Sequence, residues 1–152
     1  MNENPLSFRR HHIGRALARA YWLFEDQFLS GIRAQGYDDI RRSDVNVIRF
    51  LPLDGARTTD LAERAKISKQ GMAKLVSGLE NRKYVSRGAD PEDGRAQLVV
   101  LTEKGIRFLE DAGVLIETLE AEWSDLLGLE ELDDVKKALL HVADVFGSED
   151  YL

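Results

Sequence analysis

The chain has 152 residues, 21 Lys and Arg against 27 Asp and Glu, a formal net charge of −6, and no cysteine. That length fits one domain, or one core plus oligomerisation elements. The missing thiols exclude disulfide scaffolds, Cys-ligated zinc, iron–sulfur clusters and thiol-based redox sensing. Apolar runs are only a few residues long, as at 98–101, so none predicts a membrane span. The opening stretch MNENPLSFRRHH lacks the apolar core of a signal peptide, and a cytoplasmic protein is expected.

Residues 8–35 predict a long helix, because Ile13, Leu17, Tyr21, Phe24, Phe28 and Ile32 recur at three- and four-residue steps before Gly36. A second helix is expected from Ser43 as its N-cap to just before Pro52. LPLDGA then reads as a turn, and 59–65 as a short helix with Leu61, Ala62 and Ala65 inward. Ser68 is placed to cap a helix over 69–81 whose buried stripe is Met72, Leu75, Val76 and Leu79. Strands are predicted at 84–87 and 97–101, joined by the hairpin-loop chemistry of ADPEDG. Thr102 caps a long helix reaching about Leu127, with Leu109, Ala112, Ile116, Leu119, Trp123 and Leu126 as its apolar positions. Gly128 stops it, and a last helix runs from about Glu130 to Phe146.

That order, four helices, a hairpin and two helices, predicts a mainly α fold with a small β wing: a winged helix-turn-helix flanked by terminal helices. Charge partitions along it. Residues 41–105 carry 13 basic and 9 acidic residues, whereas from Glu110 onward two lysines face 13 acids. A basic middle on an acidic scaffold points to a polyanion-binding module.

A helix-turn-helix needs a small residue on its first helix and apolar plugs on its second. Ala62, Met72 and Leu75 fill those roles, although Lys66 stands at the turn where Gly is common. The outward face of the second helix then holds Lys69, Gln70, Ala73, Lys74 and Ser77, with Ser68 at its N-terminus. Gln can pair with adenine edges, Lys with guanine or phosphate, Ala with a thymine methyl, and Ser with phosphate. A solvated amphipathic helix would show the same residues. In the hairpin, Asp93 can hold Arg95 rigid and aim it into a narrow minor groove, or the pair can simply stabilise a turn.

Asp93-Gly-Arg95, then Leu101-Thr102 and Glu103-Lys104-Gly105, resembles the wing and post-wing signature of the MarR family of bacterial transcription regulators. Asp60-Leu61-Ala62-Glu63, Ile67-Ser68 and Leu79 to Val85 resemble that family's helix-turn-helix and its run into the wing. Tyr84 stands where Gly is frequent, and Gly71 interrupts the recognition helix. The resemblance implies a homodimeric repressor on a pseudo-palindromic DNA operator, with residues 37–102 as the winged region and residues 1–36 and 103–152 forming the dimer. The DNA-contact set is then Ser68, Lys69, Gln70, Ala73, Lys74, Ser77, Arg87, Asp93 and Arg95. The aromatic residues of the terminal helices, including Tyr21, Trp22, Phe28, Trp123 and Phe146, fit a covered seam.

Such regulators often take a small aromatic or anionic effector between the dimer helices and the winged region. His12, Arg15, Arg19, Tyr21, Trp22 and Arg49 are the expected candidates, against the plainer reading of core aromatics and solvated arginines. No metal or cofactor is expected, since His11 and His12 are adjacent and no HxxxH pair is present. No Gly-rich phosphate loop or nucleophile–base pair predicts an enzyme. A winged-helix protein-interaction module with weak or no DNA binding is the alternative.

Overall fold

The computed structural model describes residues 12–90 and 96–146. In chain order, the described residues form α1 (Ile13–Ala34), α2 (Arg42–Phe50), β1 (Ala56–Arg57), α3 (Thr58–Arg64) and α4 (Lys69–Asn81). β2 (Val85–Ala89), β3 (Gln97–Leu101), α5 (Glu103–Leu127) and α6 (Leu129–Phe146) follow. The wing loop, with Asp93 and Arg95, lies outside the described residues, as do 8–11 of the first predicted helix.

Most predicted elements are present, with three corrections. The cap of α2 is Arg41, not Ser43: Asp44 in the first turn accepts the Arg41 N–H at 2.8 Å. Tyr84 is not in a strand but in the turn before β2. LPLDGA leads into β1, two residues that pair Ala56 with Val99 and Arg57 with Leu98. The sheet is antiparallel in the order β1-β3-β2, so the hairpin gains a third strand. A two-residue strand has no period for a sequence to display.

The caps follow the expected chemistry. Ser68 Oγ accepts from Gly71 N at 3.0 Å and Thr102 Oγ1 from Gly105 N at 3.2 Å. Gly36 and Gly128 stand at φ of 97° and 99°, the left-handed region that ends helices. Lys66 and Lys83 occupy the same region at 52° and 65°. Each ends its helix in a double-bonded turn: Ile67 N reaches Ala62 O at 3.0 Å, and Tyr84 N reaches Leu79 O at 3.0 Å.

One core holds the winged region to the long helices. Ile32, Val47, Leu61, Met72, Val76, Leu79, Tyr84 and Val99 are completely excluded from water within it. On α5 the inward positions include Phe108 beside Ala112 and Leu119, whereas Leu126 is 82% exposed. The 3-4 series from Leu109 shares that inward face through Ala112 and Leu119 and runs out into solvent at Leu126. Among the described residues no helix is long and apolar enough to cross a membrane, and no cluster of three metal-ligating side chains forms.

Candidate nucleic-acid interface and ligand crevice

Helix α4 presents two chemically different sides. Met72, Val76 and Leu79 are buried, while Ser68, Lys69, Gln70, Lys74 and Ser77 are exposed and Ala73 is half-buried. A Cβ on Gly71 would stand 3.0 Å from Ser68 Oγ, so a glycine leaves room for the cap. Arg87, expected among the DNA contacts, donates to Glu80 and, at 3.1 Å, to Ser77 Oγ. It pins β2 against the outer side of α4.

The C-terminal end of α4 is fixed by a buried ion pair that sequence reasoning missed. Arg82 grips both oxygens of Asp44, at 2.7 and 2.9 Å, and donates to Gly78 O at 2.9 Å. Asp44 is 1% exposed, and its hydrogen bonds hold the Arg82 guanidinium above its ordinary pKa. The pair joins the first turn of α2 to the end of α4. No local pattern announces it, because its partners are 38 residues apart.

Where α4 turns into β2, a second knot forms around Tyr84. Its hydroxyl donates to Asp39 at 2.6 Å, and Lys104 Nζ sits 4.0 Å from its ring centroid while donating to Asp39 at 3.2 Å. Burial pushes the Asp39 carboxyl up. The Tyr84 and Lys104 hydrogen bonds, with the Lys104 and Arg82 charges, outweigh it and leave that carboxyl below its ordinary value. Thr102 N donates to Tyr84 O at 3.0 Å, and a Cβ on Gly105 would lie 2.1 Å from that oxygen. The Thr102-Glu103-Lys104-Gly105 signature is thus the clasp that seats α5 on the base of the wing.

A crevice of about 170 Å³ opens between α1, α2 and α5. Phe24, Phe28, Ile48, Phe108 and Leu109 make it apolar, with Tyr21 and Arg49 at its polar edge. Arg49 donates to the Tyr21 hydroxyl at 3.3 Å and lies 5.7 Å from that ring's centroid. Tyr21 in turn donates to Glu25 at 3.0 Å, and Arg42 donates to both Glu25 and Asp26. Glu25, 5% exposed, is therefore a satisfied carboxylate beneath the crevice. Of the expected effector residues, Tyr21 and Arg49 line this space and His12, Arg15, Arg19 and Trp22 do not. His12 instead caps α1, accepting from Arg15 N at 3.3 Å, and Trp22 is 58% exposed.

The MarR family profile matches residues 39–96, from the Asp39 knot to the residue before β3. Over that stretch the chain resembles the MarR family. The HTH-type transcriptional regulator YxaD of Bacillus subtilis (strain 168) is 28% identical over 128 residues, 81% of this chain and 85% of that protein. The structure of the transcriptional repressor CouR bound to a 23-mer DNA duplex superposes with a TM-score of 0.72 at 26% identity, covering 93% of this chain and 99% of CouR. The PcaV regulator of Streptomyces coelicolor, solved with its natural ligand, gives 0.64 at 25% identity, covering 95% of this chain and 98% of PcaV. The chain shares the winged-helix fold of these transcriptional regulators.

Proposed function

We propose that this chain is a MarR-type transcription regulator, a homodimeric repressor that binds a pseudo-palindromic DNA operator and releases it when a small aromatic anion enters the crevice. The observation that carries the reading is the two-sided α4, whose exposed face gathers Lys69, Gln70, Lys74 and Ser77 opposite a fully buried stripe. CouR, solved bound to a DNA duplex, and PcaV, solved with its natural ligand, support a regulator with both a DNA and a ligand site. Arg95, steadied by Asp93, supplies the minor-groove contact in this reading, on the strength of the Asp-Gly-Arg spacing.

The crevice chemistry supports an aromatic anion: an apolar slot edged by the exposed cation Arg49. Phe108 supplies the link to DNA. It forms one wall of the crevice and packs edge-on against Tyr84, with ring centroids 5.6 Å apart, at the turn joining α4 to β2. A ligand that displaces Phe108 therefore presses on the base of the wing. Sequencing of genomic fragments retained by the purified protein tests the reading. Enrichment of a two-fold symmetric motif is expected, and retention without any motif overturns the sequence-specific repressor.

A further inference from the structure

Between the start of α2 and the flank of α4 runs an open groove of about 760 Å³, alongside the exposed face of α4. Arg41 and Ser43 stand on one rim, Lys74, Ser77 and Asn81 on the other. The single carboxylate lining it is Asp44, already neutralised by Arg82. Arg41 and Lys74 are both exposed and neither forms an ion pair among the described residues, so the groove carries net positive charge. The Ser43 hydroxyl also makes no hydrogen bond there.

We propose that this groove seats the sugar-phosphate backbone of the DNA, with a phosphate held between Arg41 and Lys74 and hydrogen-bonded by Ser43. The inference rests on the DNA-binding reading above and adds Arg41 and Ser43 to its contacts. Lys74 is the hinge of the argument, because it belongs both to the exposed face of α4 and to the groove's rim. A strand lying in the groove is therefore one that flanks the bases α4 faces. The groove follows α4, whose 13 residues span about 20 Å, a length that suits a strand rather than a small anion. A guanidinium fork can grip two oxygens of one phosphate, and a hydroxyl can supply a further bond. Such contacts fix register without reading sequence.

The test measures anisotropy of a labelled random-sequence duplex of about 30 base pairs between about 50 and 200 mM KCl, the range over which phosphate contacts dominate affinity. Arg41→Ala is expected to weaken binding several-fold and to lower the slope of log affinity against log salt by about 0.9 per protomer. Arg41→Lys should restore the slope, because it returns the charge. Ser43→Ala should weaken binding with the slope unchanged. The cap of α2 uses the backbone N–H of Arg41, so Arg41→Ala keeps it, and an unchanged melting curve reports an intact fold. Wild-type salt dependence in Arg41→Ala, with Lys69→Ala still lowering the slope, overturns the groove and leaves the DNA-binding reading standing. Retention of polyglutamate lost in Arg41→Ala, with DNA binding intact, reassigns the groove to an acidic peptide and overturns it too. A wild-type protein without salt-dependent DNA binding overturns both.

Discussion

Gly105 shows how one missing methyl can decide the seating of a helix. Its Cα faces the Tyr84 carbonyl so closely that any Cβ would overlap that oxygen, and the carbonyl is itself fixed by Thr102. Gly105→Ala must push α5 off the base of the wing, and a loss of about 3 kcal/mol is expected in urea denaturation. An unchanged midpoint would mean that the clasp yields without cost. Tyr37, between α1 and α2, gives a pH-dependent counterpart bonded to the same helix through Asp111. Burial pushes its hydroxyl up to about 12, and the hydrogen bond it donates to Asp111 adds to the shift. The neutral form is the one favoured by folding, so its contribution is complete below pH 10 and disappears as pH rises through 12. Stability should therefore fall more steeply between those limits in the wild type than in Tyr37→Phe, as denaturant titrations at successive pH values would show.

At the scale of elements, what could be read from the sequence depended on whether the cause was local. The bounds of α4 were legible because Ser68, the Met72-Val76-Leu79 stripe and the turn at Lys83 all lie within or beside the helix. The cap of α2 was not, because it uses a backbone N–H with an Asp three residues on, while a serine nearby offers a decoy. Phe108 was hidden for another reason. It lies one residue before the 3-4 series from Leu109, on the same inward face as Ala112 and Leu119, so the periodic positions drew the reading past it. Within the candidate site, Tyr21 and Arg49 were legible as an aromatic beside a cation, but Arg82–Asp44 required the fold to bring distant segments together. The reading face of α4 carries its own prediction. Gln70 is exposed and keeps no core contact, so Gln70→Ala should leave the melting curve unchanged. It should cost about 1–3 kcal/mol of discrimination at one or two operator base pairs. Equal losses on operator and random duplex would make Gln70 a backbone contact.

For the whole molecule, the telling quantity is apolar surface left in water. Among the described residues of α6, Leu132 is buried, whereas Val135, Leu139, Leu140, Val142 and Val145 are 43–58% exposed. Ile13, Trp22 and Leu23 on α1 are exposed by more than half as well. Monomeric proteins rarely leave so much contiguous apolar surface uncovered, and a second copy presenting the same helices would bury it. Charge fits that arrangement, because α6 is acidic while Arg15 and Arg19 on α1 have no ion pair among the described residues. A two-fold interface uses each residue twice. Leu139→Asp should then forfeit about 2 kcal/mol per protomer, or about 4 kcal/mol per dimer, raising the dissociation constant roughly a thousand-fold. Sedimentation at micromolar concentration should show a wild-type dimer and a folded Leu139→Asp monomer. The monomer should also lose affinity for a two-half-site operator far more than for a single half-site, since only the dimer engages both. A wild-type monomer at that concentration would remove the dimer, and with it the reason for a palindromic operator.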